Sequence, residues 1–167
     1  MNSQRAQSWV EAHSSHSDAR HRADAEPLPA VFVLEPHMCA AAALVAEWDP
    51  VATVQLPNVT RCPDQLGVRG SLLHAIEVMG ARTLVMCGEG AGPPSYGGGV
   101  EHVFTGCQAL LDDECMGPLL SCGAVVLEVL WFDTRGDGLH RWNPAGGGFK
   151  LLSAASTAEL VAELRSR

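Results

Sequence analysis

The residues able to do chemistry in this chain gather in two short stretches. Glu35-Pro36-His37-Met38-Cys39 places a carboxylate, an imidazole and a thiol within five positions, and Cys87-Gly88-Glu89-Gly90-Ala91-Gly92 sets a thiol and a carboxylate in a glycine-rich run. His37, Cys39 and Glu89 together are a candidate metal set, because imidazole, thiolate and carboxylate all ligate zinc. The H-x-C spacing is not that of a structural zinc motif, and Glu89 alone also reads as a solvated loop carboxylate. Gly88-x-Gly90-x-Gly92 is a candidate anion loop, since free amides at such a turn attract negative charge. Pro93-Pro94 follows at once and removes two donors, and the run has neither the G-x-G-x-x-G spacing nor a P-loop lysine. The six cysteines, at 39, 62, 87, 107, 115 and 122, contain no C-x-x-C pair, so no zinc ribbon is expected. Cys87 reads as a small buried hydrophobe. Cys107 and Cys115 read as core packing, with no neighbouring base and cation to activate a nucleophile.

The elements that must position these stretches follow from the apolar pattern. Ala30-Val31-Phe32-Val33-Leu34 predicts a strand buried on both faces. Cys39 to Trp48 predicts a helix, ended at Asp49-Pro50, and Val51–Gln55 a second strand. Ser71 to Met79 predicts a helix capped by Ser71 and stopped at Gly80, with His74 and Glu77 on its polar side. Arg82–Cys87 predicts a third strand that runs into the glycine loop. A helix around Cys107–Glu114, a loop at Gly117-Pro118, a strand over Ala124–Phe132 and a hairpin return at Leu139–Trp142 come next. Trp131 and Trp142 read as core or interface residues. Ser156-x-x-Glu159 predicts a capping box that opens a terminal helix. Arg61, Arg69 and Arg82 are scattered and read as surface charges.

These elements imply right-handed β-α-β crossovers and an α/β fold. The expected sheet is mainly parallel, of about four strands flanked by helices, with a C-terminal hairpin edge. Residues 1–26 are polar and read as an N-terminal arm whose sizeable apolar side chains are Trp9 and Val10. Residues 27–167 read as one domain. A chain of 167 residues buries roughly 70% of its unfolded surface, enough for a core without staples. Nineteen acids against eleven bases give a net charge of −8, which argues against nucleic acid or an anionic membrane as partner. No apolar run approaches the length of a membrane span. The first 26 residues lack the apolar core of a secretory signal, so reduced thiols and a cytoplasmic location are expected.

The run Gly70-Ser71-Leu72-Leu73-His74-Ala75-Ile76-Glu77-Val78-Met79-Gly80-Ala81-Arg82-Thr83-Leu84-Val85-Met86-Cys87-Gly88 resembles the β-class carbonic anhydrases. In that family a G-S-L-x-x-A helix leads into a strand and then C-G-H-S-x-C. Ala30–Leu34 stands where the family has the strand that ends in C-S-D-S-R. Val129–Leu139 is similar to the closing G-x-x-Y-D-x-x-T-G-x-L strands. The resemblance covers residues 27–142. It implies the β-carbonic-anhydrase fold and a homodimer or larger homo-oligomer, with an N-terminal helix that embraces the partner and that Trp9 would anchor here.

The family's activity rests on one zinc held by the Cys of C-S-D-S-R and the His and Cys of H-S-x-C, with an Asp–Arg pair beside the metal-bound water. On this chain the first motif falls on Leu34, Glu35, Pro36, His37 and Met38, so Leu34 replaces the cysteine, Pro36 the aspartate and Met38 the arginine. The second motif puts Glu89 at the histidine and Gly92 at the second cysteine. Neither Leu nor Gly can coordinate a metal. The resemblance thus implies a degenerate member without zinc, acting by binding a protein partner or a small anion, or as a structural subunit. Two other readings stay open. One is a metal-dependent carbonic anhydrase or related small-molecule lyase or hydrolase that uses zinc on a relocated His37, Cys39 and Glu89 set. The other is an anion or nucleotide sensor at Gly88, Gly90 and Gly92.

Overall fold

Ala30–Leu34 is apolar at every position and buried at every position, as strand β1. Its side chains alternate between two cores. Val31 and Val33 face one, while Ala30, Phe32 and Leu34 face the other. The computed structural model describes residues 30–35, 37–48, 52–55, 66–94 and 99–166. Pro36, Cys62 and the arm with Trp9 lie outside the described residues.

The chain runs β1, α1 (Cys39–Glu47), β2 (Ala52–Gln55), α2 (Leu66–Glu77), β3 (Thr83–Gly90), α3 (Val100–Asp112), α4 (Met116–Ser121), β4 (Val126–Asp133), β5 (Gly138–Asn143), β6 (Gly148–Leu151) and α5 (Ala154–Ser166). The strands form one six-stranded sheet in the order β2-β1-β3-β4-β5-β6. The first four are mutually parallel, and β5 and β6 add on antiparallel. The predicted α/β architecture is therefore present, with a second antiparallel strand, β6, that the sequence reading lacks.

The sheet separates the two cores. On one face Leu84, Met86, Val129 and Trp131 pack under α2 and α3 with Leu72, Ile76, Val103 and Leu110. On the other, Val85, Cys87, Leu130 and Phe132 pack under α1 and α5 with Val45, Leu160 and Leu164. Phe32 meets Trp48 edge to face at 5.6 Å, and the Arg165 guanidinium donates to the Trp48 carbonyl at 2.9 Å, joining α5 to the end of α1.

Several expected boundaries move. The α2 helix starts at Leu66, so Ser71 lies inside it rather than capping it. Gly80 does take the left-handed conformation, φ +76°, just past its end. Strand β3 continues to Gly90, three residues into the glycine run. The third helix begins at Val100 and ends at Asp112. Gly117 and Pro118 lie in helix α4, where Pro118 occupies the first turn and needs no N–H partner. Asp113 Oδ1 caps that helix by accepting from the amides of Cys115 (2.9 Å) and Met116 (3.0 Å). At α5 the capping residue is Ser153, whose Oγ accepts from the Ser156 amide at 3.1 Å, so the Ser156-x-x-Glu159 box lies within the helix. Arg69 is not a free surface charge, because its guanidinium pairs with Asp113 at 2.7 Å and Glu114 at 3.0 Å.

Candidate functional site

In an open parallel sheet, ligands sit beyond the carboxyl ends of the strands. The loop after β1 and the end of β3 meet there, and they carry the two stretches that the sequence singles out. Their meeting point is Glu89, the next-to-last residue of β3. Its Oε2 accepts hydrogen bonds from the backbone amides of Ala40 (3.0 Å) and Ala41 (2.9 Å). These amides belong to the first turn of α1, whose donors have no intrahelical partner. The residue at the cap position is Met38, whose side chain makes no cap bond. Glu89 therefore serves as the N-cap from 48 positions away, with its negative charge at the positive end of the helix dipole.

The other candidates around it do not converge on one point. Leu34 is fully buried and Met38 nearly so, both in the core with Ala41, Val45, Phe132 and Leu139. His37 projects outward with its side chain 71% exposed, and its Nδ1 lies 3.4 Å from Glu35. Cys39 is exposed as well. Among the described residues, no group of three or more His, Cys, Asp or Glu lies close enough together to hold a metal ion.

The glycine run is tied to the end of β4. Gly88 is a strand residue paired with Trp131. A Cβ there would stand 2.5 Å from Val103 Cγ2 and 2.6 Å from Trp131 Cε3, so the position requires glycine for packing. The Gly90 carbonyl accepts from the Thr134 amide (2.9 Å) and hydroxyl (3.1 Å). Gly92 donates its amide to Asp133 Oδ1 at 2.8 Å, and its carbonyl accepts from the Trp131 indole at 3.1 Å. Gly92 also has φ +119°, which L side chains rarely adopt. The amide that an anion would need at Gly92 is thus held by a carboxylate of the chain itself.

Asp133 is the residue that sequence reasoning missed. It is buried, and its Oδ1 also accepts from the amides of Arg135 (2.8 Å) and Gly136 (2.9 Å). The bond from the Gly136 amide, joined by those from Arg135 and Gly92, holds its carboxyl below the usual carboxylate range. His140, buried beside it, has its pKa lowered by burial against the opposing pull of Asp133. The signal was present locally: Asp-Thr-Arg-Gly is an Asx-turn sequence. Its partner Gly92, 41 positions away, was not foreseeable from spacing.

The two buried thiols, Cys87 and Cys107, are chemically quiet. Burial raises the Cys87 thiol far above neutrality and pushes Cys107 up to about 12. Neither is a thiolate at neutral pH, which is the form a nucleophile needs.

Zinc, the metal that the resemblance implies, is not fitted by this arrangement. Leu34 and Gly92 offer no donor atom, and the Glu89 oxygen facing α1 is committed to two amides. No helix among the described residues is long and apolar enough to cross a membrane.

No family model matches the chain, and no curated protein matches it. Solved structures do. The β-carbonic anhydrase CcaA aligns over 89% of this chain and 98% of its own, with TM-score 0.57 and 9% identity. The β-carbonic anhydrase CafD of Aspergillus fumigatus aligns over 73% of this chain and 92% of its own, with TM-score 0.52 and 10% identity. A tetrameric β-carbonic anhydrase of Sordaria macrospora aligns over 91% and 94%, with TM-score 0.50 and 12% identity. At these identities the likeness speaks to architecture, and the chain has the fold of the β-carbonic anhydrases.

Proposed function

We propose that this chain is a non-catalytic protein of β-carbonic-anhydrase fold, with a binding or structural role and without a resident zinc. One observation carries the reading. The carboxylate at the position the resemblance gives to a zinc histidine is a helix cap, bonded to Ala40 and Ala41. A carboxylate moved onto a metal would strip two amides of their acceptor and leave the α1 end uncapped. Leu34 and Gly92 support the same reading, one as core and the other as a backbone tie to Asp133. In this reading the chain assembles as a homodimer or larger homo-oligomer, as the tetrameric relative of fold does, and works in a cytoplasmic setting with reduced thiols.

The test is the metal content of the untagged chain, purified at neutral pH without chelator, together with carbon dioxide hydration followed by a pH indicator in stopped flow. Less than about 0.1 zinc per chain and hydration at the buffer rate are expected, because an affine zinc site holds its metal through purification. One zinc per chain with hydration above the buffer rate overturns the proposal.

A further inference from the structure

Strand β5 is laddered to β4 over Leu130–Asp133. Beyond that ladder, β4, β5, β6 and α5 border an open cleft of about 780 Å³. Every residue that lines it is among those described. The volume is that of a small-molecule site, and such sites combine an apolar wall with a few placed polar groups. The apolar wall here includes Val129, Leu160 and Trp142. The Trp142 ring is packed edge to face against Phe104 at 4.9 Å and Phe149 at 5.3 Å.

The polar groups form two rungs between the sheet and α5. In the first, Arg141 on β5 donates to Glu128 at 2.7 and 3.0 Å and to Glu163 on α5 at 3.3 Å. The charge of that guanidinium is matched within the protein. In the second, Lys150 on β6 stands opposite Arg141, and Glu159 stands one helical turn before Glu163 on α5. Residues opposite one another in an antiparallel pair share a face of the sheet, and residues four apart share a face of a helix. Lys150 and Glu159 both line the cleft and both are exposed. Neither forms an ion pair among the described residues.

The second rung thus repeats the charges of the first, cation on the sheet and carboxylate on the helix, without the bond that joins them. An ammonium, a carboxylate and an apolar wall around one cleft are complementary to a molecule that carries both charges beside an apolar group.

We propose that the cleft binds a small apolar zwitterion of the α-amino-acid type, with its carboxylate on Lys150, its ammonium on Glu159 and its side group against Trp142. A molecule with a single charge satisfies one side of the rung and leaves the other unmatched, which is the source of selectivity. The inference stands apart from the zinc reading, since Leu34, Glu89 and Gly92 do not line the cleft. Metal content decides the one and ligand titration the other.

The experiment titrates L-phenylalanine into the isotope-labelled full chain at neutral pH and follows the Trp142 indole and the amides of Lys150 and Glu159 by NMR. Phenethylamine and phenylpropionate, which each lack one of the two charges, are the comparison ligands. Saturable shifts with a Kd of about 1 mM or tighter are expected for phenylalanine. Each comparison ligand is expected to bind at least ~10-fold more weakly, as one charge-assisted bond is lost. Lys150→Met and Glu159→Gln change exposed side chains outside the core, and each is expected to weaken phenylalanine by the same factor. The absence of saturable shifts up to ~20 mM overturns the proposal. Equal binding of the three ligands overturns it as well, because the cleft then takes an apolar group without reading charge. So does an unchanged affinity in both variants.

Discussion

Glu89 Oε2 lies 2.9 Å from the amide nitrogen of Ala41, and this bond closes the end of β3 onto the start of α1 across 48 residues of sequence. Helix capping is usually local, with the cap residue one turn away from the donors it satisfies. Here the local cap residue is Met38, whose side chain makes no cap bond, and the capping side chain is supplied by strand β3. Fold and site are joined at this one group.

Glu89→Ala therefore uncaps α1 and is expected to cost about 1 kcal/mol, the typical loss for a deleted N-cap acceptor. On a chain of this size that lowers Tm by roughly 3 °C. Glu89→Gln keeps a carbonyl acceptor and loses only the charge, so it is expected to fall between the parent and the alanine variant. Thermal unfolding of the three proteins at one pH checks the order. An alanine variant as stable as the parent would mean that the cap contributes nothing.

What was legible in the sequence follows from range. Strand β1 was readable because five consecutive apolar residues admit burial on both faces. The turn of Asp133 was readable because its acceptors and donors lie within three residues. The α4 helix was hidden by Gly117-Pro118, since Pro at the third helical position looks like a breaker although its missing N–H is never used there. Strand β6 was hidden by its four-residue length behind Gly146-Gly147-Gly148. The two contacts that define the site, Glu89 to α1 and Asp133 to Gly92, join residues more than 40 apart, and no local spacing encodes them. The resemblance pointed to the loops after β1 and β3, but it could not say what Glu89 bonds to there.

Gly88 faces Val103 and Trp131 so closely that any side chain must displace one of them. Both are buried, and the indole is held by its bond to the Gly92 carbonyl. Gly88→Ala is expected to cost about 1–3 kcal/mol, the range for overpacking a rigid core. Urea unfolding measures it, with a lower midpoint at an unchanged slope. Gly70→Ala is the control, because nothing lies within 4 Å of a Cβ there.

Asp133 and His140 give stability the same sign of pH dependence. The folded-state pKa of Asp133 lies below its ordinary value, so its contribution is fully present above about pH 4 and is lost as pH falls through the depressed value. The His140 value is also lowered, by burial, so its contribution is present above about pH 6.5 and is lost as pH falls through the folded value. Asp133→Asn is expected to lower Tm clearly at pH 7 and progressively less toward pH 3. His140→Gln is expected to flatten the parent's decline between pH 7 and pH 5. Melting curves across this range check both, and parallel curves for parent and variants would remove either residue from the account.

Arg141 binds β4 to β5 and both to α5. Its Nε and Nη2 donate to the two oxygens of Glu128 at 3.0 and 2.7 Å, and its Nη1 donates to Glu163 at 3.3 Å. The bidentate pair spans the region where β5 leaves β4, so it fixes the width of the cleft. Bonding to Glu128 raises the guanidinium pKa above its ordinary value. Lys cannot form the two-pronged contact, because it offers a point charge in place of a planar fork. Arg141→Lys is expected to cost about 1 kcal/mol, a figure set for a partly exposed pair screened by solvent. Arg141→Ala is expected to cost more, since it removes both bonds to the carboxylate of Glu128, which is 12% exposed. If α5 is anchored here, the alanine variant also speeds amide exchange along 154–166 while leaving α2 unchanged. Equal exchange in both helices would place the anchor of α5 elsewhere, at Arg165 and the Trp48 carbonyl.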